Sequence, residues 1–400
     1  MSGLRILMVI HTAWSRDLGG PRVQLELAEE MRALGHQVEK FSYEDAFPRR
    51  PSANGRRPGR ATRIVEAVLT NRSFAARAGA YVAAHARRFD IVEGHQTDLP
   101  FPKRRLSFDG LLVARSVGLI PAYRDFQRFA DRRWPEPAPA REWAHRTLTS
   151  LGRRRRQRDL LPSLRHADLI NVSNRDDWHA VAEGMGFGDK VVVFPFGLSE
   201  TRRDAFLRQR ASVEERLANR TVAFIGTWNS RKGARDWPEI AARVHHRLPA
   251  TRFLLLGTGF AEEVVRRDFP IATQASVVVV PSYRGEELPG LLAGATVGAF
   301  PGYLEGFGFG VLEKLAAGLP TVAYDAPGPR DMLCHQELPT SIPAGDTAAF
   351  ADRLLSLLTL SPGAYAAHSA DSTRVAALFS WSDIAARTIA TYRSALERLR

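Results

Sequence analysis

Residues Tyr303 to Met332 read YLEGFGFGVLEKLAAGLPTVAYDAPGPRDM. Gly306, Gly308 and Gly310 alternate with Phe307 and Phe309, and the apolar residues of Val311-Leu312-Glu313-Lys314-Leu315-Ala316-Ala317 then fall on one face of a short helix. Gly318 stops that helix and Pro320 blocks its return, so an apolar strand follows. Glycines at a helix N-terminus let backbone N–H groups come close to an anion, and the helix dipole favours negative charge there. A phosphate fits the turn at Gly306, Phe307 and Gly308.

Two carboxylates flank that turn. An ionised carboxylate only accepts hydrogen bonds and can take two vicinal sugar hydroxyls together. Glu313, inside the helix, is placed to do so for a ribose, as the acidic residue of dinucleotide folds does; Glu305, before the turn, can hold hydroxyls of a second sugar. Taken singly, Glu313 is an ordinary helix-start acid and Glu305 a solvated loop acid.

Together they form E-G-F-G-x-x-x-x-E, and Ala316-Ala317-Gly318-Leu319-Pro320 adds A-x-G-x-P. This string resembles the retaining GT-B glycosyltransferases, specifically glycosyltransferase family 4. The resemblance implies an α/β protein of two Rossmann-like domains facing an interdomain cleft. The donor, a nucleotide diphosphate sugar, would bind mainly to the second domain, and a hydroxyl acceptor to the first.

Four hundred residues suffice for two domains with separate cores. No apolar run approaches the ~20 residues of a membrane span. Leu4 to Ile10 reads as a buried first strand and is too short for a signal peptide. Cys334 is the only cysteine, which excludes an intrachain disulfide or a cysteine metal cluster and suits a cytoplasmic protein.

The net charge of +13 is concentrated in the first half, where 33 Lys and Arg face 23 Asp and Glu. Nearly all the cations are arginines, a bias that base composition alone can produce. No nucleic-acid motif accompanies them.

From the N-terminus, His11 follows the first strand and Gly19-Gly20-Pro21 precedes a helix closed by Gly35. Gly-Gly is not the dinucleotide fingerprint G-x-G-x-x-G; in the family this pair, Gly19 and Gly20, lines the cleft. Residues 47–63 (FPRRPSANGRRPGRATR) read as an exposed loop. Asp90 to His95 is a strand ending in a loop, and open α/β sheets bind ligands outside such ends, making His95 a cleft candidate. Relatives often carry a histidine on the donor sugar where this chain has Val117; His11 or His95 would have to compensate, or the protein would be weak or silent.

Tyr123, Phe126, Phe129, Trp134 and Trp143 lie among arginines that end in Arg153 to Arg156, a composition suited to an anionic membrane surface at the cytoplasmic face or to an ordinary helical insertion. The first domain is expected to span residues 1–197 and the second 198–379. The amphipathic segment 380–400 is expected to cross back onto the first.

In the second domain Thr221 to Gly226 is a buried strand, and Arg231-Lys232-Gly233 follows in its turn, one planar fork and one point charge beside a glycine. The family's G-x-x-x-x-x-K-G pattern matches from Gly226 to Gly233. Arg231, Lys232, Glu305 and His95 are thereby the catalytic candidates. Gly19, Gly20, Gly226, Ser282, Tyr283, Gly306, Phe307, Gly308 and Glu313 are the donor-binding candidates. The chain has no Asp-x-Asp pair, so no metal and no other cofactor is expected, and a UDP-sugar is the favoured donor.

Overall fold

The computed structural model describes residues 3–16, 19–48, 74–135 and 158–399. Two six-stranded parallel sheets form its frame. The first contains β1 (Arg5–Val9), β2 (Gln37–Phe41), β3 (Ile91–His95), β4 (Leu111–Arg115), β5 (Leu169–Val172) and β6 (Val191–Val193), in the order β2-β1-β3-β4-β5-β6. The second contains β7 (Thr221–Ile225), β8 (Arg252–Leu256), β9 (Val277–Val280), β10 (Val297–Phe300), β11 (Thr321–Tyr324) and β12 (Ser341–Ile342), in the order β12-β11-β10-β7-β8-β9.

Strands such as β1, β6, β7 and β9 read as nearly unbroken apolar runs because helices cover both faces of a parallel sheet. In β1, Ile6 and Met8 join one core with Val23 and Leu27, while Leu7 and Val9 turn to another with Phe74 and Val82. Strand order reverses between β1 and β3 in the first sheet and between β7 and β10 in the second. Such reversals leave a crevice at the carboxyl ends of the strands.

Four helices position the site: α1 (Gly19–Ala33), α2 (Ile120–Arg133), α3 (Phe309–Ala316) and α4 (Trp381–Leu399). The expectation placed Gly19 and Gly20 in a loop; they are instead the first turn of α1. Gly35 ends the segment after α1 with φ +86, and His36 Nδ1 accepts from the Leu4 amide at 2.9 Å, a structural role. Gly308 (φ +100) starts α3 and Gly318 (φ +71) ends it, conformations that glycine adopts without penalty.

Helix α4 crosses back. Leu198 bridges Ser380, the Trp381 indole donates to Glu26 of α1 at 2.6 Å, and Tyr392 reaches the buried pair Glu93 and Arg115.

The described aromatic residues of the insertion meet the second domain. Phe126, Phe129 and Trp134 lie 6.1, 5.6 and 5.5 Å from the ring of Tyr303, across the interdomain contact. Spacing of three residues puts Tyr123, Phe126 and Phe129 on one face of α2, where Phe126 and Phe129 touch the Tyr303 ring while Phe129 stays partly exposed. Trp143, Arg153 to Arg156 and most of 47–63 fall outside the described residues. Among the described residues no helix is long and apolar enough to cross a membrane.

Candidate active site

The loop after β7 is built to present two cations. Asn229 Oδ1 accepts from the Lys232 amide at 3.1 Å, and Gly233 (φ +84) closes the single turn Ser230–Lys232. Arg231 and Lys232 both reach Oε1 of Glu305 at 2.5 Å, and Arg231 also donates to the Leu304 carbonyl at 2.8 Å. Burial by itself would raise the Glu305 carboxyl, but Lys232 and Arg231 together outweigh it and hold the group below the usual carboxylate range. Burial lowers Lys232 despite that partner, with Arg231 pushing the same way.

Glu305 is held from behind. Tyr303 and Tyr324 each donate to Asp236 Oδ2 at 2.7 Å, which anchors the start of its loop. Its far end is gripped by the first domain: the Gly306 carbonyl accepts from Ser173 Oγ at 2.7 Å and from Asn174 Nδ2 at 2.6 Å. A Cβ at Gly306 would strike the Val117 carbonyl, so the glycine there serves close approach of the two domains as well as the turn.

Phe307 is buried, its ring packed 5.2 Å from Phe196 and 5.6 Å from Phe379. Only its backbone is available to a ligand. Phe309 carries the Arg22 guanidinium 4.7 Å above its ring. One oxygen of Glu313 is occupied: Arg22 of α1 donates to its Oε1 at 3.0 Å and Arg202 at 2.7 Å. Burial raises the Glu313 carboxyl, and Arg202 and Arg22 more than reverse it.

These groups line one cavity of about 950 Å³ between the sheets. Gly19, Gly20, Gly226, Arg231, Lys232, Ser282, Tyr283, Glu305, Gly306, Phe307, Gly308 and Glu313 all border it, so twelve of the thirteen sequence candidates converge. His95 is not among its lining residues. It sits at the end of β3 with its ring 5.1 Å from His11, and His11 Nδ1 lies 2.8 Å from Asp98. Val117 lines the cavity where the sequence expected a family histidine.

Sequence reasoning missed Arg22, Arg202, Ser173 and Asn174, and it read Tyr123 as part of an aromatic, basic insertion rather than as a cleft residue. Arg22 alone left a sign, two residues beyond Gly19-Gly20 in the first turn of α1. Tyr123 borders the cavity under the Arg231 guanidinium, 5.3 Å from it, and burial raises its hydroxyl to about 12.

Two parallel α/β units whose strand ends face one cleft, with paired cations on one wall and a glycine-started helix beside them, define the GT-B class. The same architecture occurs in sucrose-phosphate synthase from Thermosynechococcus elongatus, with TM-score 0.68 at 18% identity over 98% of both chains. It recurs in Anabaena HepE in complex with UDP and glucose, with TM-score 0.63 at 15% identity over 98% of this chain and 100% of that one. Within this frame, residues 219–360 match the family model for glycosyl transferases group 1.

Among curated proteins, a D-inositol 3-phosphate glycosyltransferase of Mycobacteroides abscessus is 28% identical over 193 residues, 47% of this chain and 42% of its own. A 2-deoxystreptamine N-acetyl-D-glucosaminyltransferase of Niallia circulans is 24% identical over 146 residues, 36% of this chain and 38% of its own. The match thus spans less than half the length of either relative.

Proposed function

We propose that the protein transfers a glycosyl unit from a nucleotide diphosphate sugar to a hydroxyl acceptor, with retention of anomeric configuration and without a metal ion. The observation that carries this reading is the convergence of Arg231, Lys232 and Glu305 at the strand-order reversal of the second sheet, beside the start of α3.

Departure of a nucleotide diphosphate builds negative charge on phosphate oxygens, and fixed cations that tighten on that charge lower the barrier. Arg231 and Lys232 supply the cations, and the backbone at Gly308 and Phe309 supplies helix-terminal N–H groups. Both cations reach Oε1 of Glu305, and Oε2 receives no hydrogen bond from a described residue. That second oxygen is suited to hydroxyls of the transferred sugar. The acceptor hydroxyl bonds to the anomeric carbon as the bond to phosphate breaks, and its proton passes to a phosphate oxygen on the same face. No protein base is required, and the arginine and lysine supply the charge a metal would otherwise provide.

UDP is the favoured nucleotide, supported by the complex of the structural neighbour HepE. The curated relatives named for D-inositol 3-phosphate make a polyol phosphate the first acceptor to try. The site is expected in the cytoplasm, at the inner membrane face if the acceptor is lipid-linked.

The test is a thermal-shift panel of UDP-, GDP- and ADP-sugars with and without EDTA, followed by NMR of the anomeric proton in any product. A ligand that binds only the folded state raises its melting temperature. A shift with one base that EDTA leaves unchanged supports the reading; an inverted product or a shift abolished by EDTA removes its finer parts.

A second reading is a catalytically silent protein that binds a sugar nucleotide or glycan. Val117, in place of the family histidine, favours it. Release of sugar from the donor in the absence of acceptor would exclude it.

A further inference from the structure

Glu313 belongs to the second domain, yet one of its partners comes from the first. Arg22, on the first turn of α1, is separated from it by 291 residues; Arg202, in the helix Glu200–Gln209, by 111. Both guanidinium groups donate to the same oxygen, Oε1. Oε2 receives no hydrogen bond from a described residue, and the carboxylate borders the cleft.

The arginines are themselves fixed. Arg22 Nε donates to Glu26 at 2.8 Å, and Glu26 also accepts from the Trp381 indole of α4. Arg22 stacks on Phe309, the first residue of α3. Arg22 Nη2 and Arg202 Nε are nonetheless buried without a partner among the described residues. A buried unpaired donor on a cation is costly, so two of them on one cavity wall point to acceptor oxygens that arrive with a ligand.

We propose that Arg22 and Arg202 form an interdomain clamp that holds one oxygen of Glu313 and turns the other toward the ribose diol of the donor, so that the donor's sugar subsite is complete only when the two domains are together. This rests on the nucleotide-sugar reading above and names the residues that make it depend on the closed cleft. Arg22 and Arg202 are positioning residues: they act on the diol through Glu313. An unclamped Glu313 would lose the fixed direction of Oε2, because the carboxylate then turns about its last bond to satisfy the nearest cation.

The test is a cycle between protein and ligand. UDP, GDP and ADP are titrated against wild type by calorimetry, and the nucleotide that binds best is compared with its 2′,3′-dideoxy counterpart; inorganic pyrophosphate is the control. Wild type should favour the diol by about tenfold or more, the scale of hydrogen bonds to a charged group. In Arg22→Gln that preference should fall to within about twofold of unity, while pyrophosphate affinity, set by Arg231 and Lys232, stays within about twofold of wild type. Arg202→Gln, acting on the same oxygen from another helix, should give the same pattern if Arg22→Gln is poorly folded.

An undiminished diol preference in both variants overturns the clamp and leaves the donor reading standing. Equal losses for pyrophosphate and for the diol preference also overturn it, since they mark a general structural role. No binding of any of the three nucleotides by wild type overturns the donor reading and the clamp with it.

Discussion

Glu93 and Arg115 lie side by side on β3 and β4, shut off from solvent, with Arg115 Nε 2.5 Å from one carboxylate oxygen and Nη2 3.0 Å from the other. Tyr392 of α4 donates to the same carboxylate, so the last helix is locked to the first sheet by a buried charge pair. A pair of this kind is costly to break because the survivor is left charged and unpaired in a low-dielectric interior. Arg115→Met is therefore expected to destabilise the protein by about 3–5 kcal/mol, and Tyr392→Phe by about 1–3 kcal/mol, read from urea unfolding monitored by tryptophan fluorescence. Losses below ~0.5 kcal/mol would show that α4 is not held by this pair.

Gly306 sets how closely the domains approach. A methyl group there meets the Val117 carbonyl, so Gly306→Ala should push the Glu305 loop away from Ser173 and Asn174. Transfer should fall at least about tenfold, with a larger radius of gyration by X-ray scattering. An unchanged radius together with full activity would mean that the loop absorbs the methyl locally.

Glu305 and Lys232 should give opposite results for a bare nucleotide. Lys232→Ala removes the cation proposed to meet the phosphates and is expected to weaken binding of the nucleoside diphosphate about tenfold or more. Glu305→Gln removes the carboxylate that occupies Arg231 and Lys232, so the same nucleotide should bind more tightly, while transfer from the sugar nucleotide falls because the sugar loses a charged acceptor. Calorimetry and a product assay on both variants decide it; weaker nucleotide binding in Glu305→Gln would show that the acid orients the cations more than it competes for them.

Lys314 carries a pH signature. It is fully buried next to Glu313, donates to the Ala299 carbonyl at 2.8 Å, and is lowered to about 7, by burial first and by Lys232 second. The unfolded chain keeps the proton up to the ordinary lysine value, so between about pH 7 and 10 the unfolded state binds more protons than the folded one. Stability from this group therefore rises with pH across that window and is lowest below pH 7. Lys314→Met should be more stable than wild type at pH 6, by no more than ~5 kcal/mol, with the advantage shrinking toward pH 10. A difference that does not change with pH in urea titrations would mean that Lys314 is charged throughout.

Much of the frame was legible because local patterns carry it. The apolar runs at β1, β7 and β8 are too short and too continuous for anything but strands of a covered sheet, and Gly35 and Gly318 mark helix ends through a backbone conformation that other residues resist. β12, two residues long, has no pattern to read. Arg231-Lys232-Gly233 and the spacing of Glu305 and Glu313 were legible as chemistry, since each group lies within one loop or helix turn of the strand that aims it.

What the sequence determined by itself was the set of elements and the inventory of charged groups, because periodicity, glycine conformation and residue type act over a few neighbouring positions. Which charges meet was decided only by the tertiary structure. The partners of Glu313, the grip of Ser173 and Asn174 on Gly306, and the ring contacts of Phe126 and Phe129 with Tyr303 all join residues more than a hundred positions apart. Such contacts arise when two separately patterned domains pack, and no local pattern encodes the distance between them.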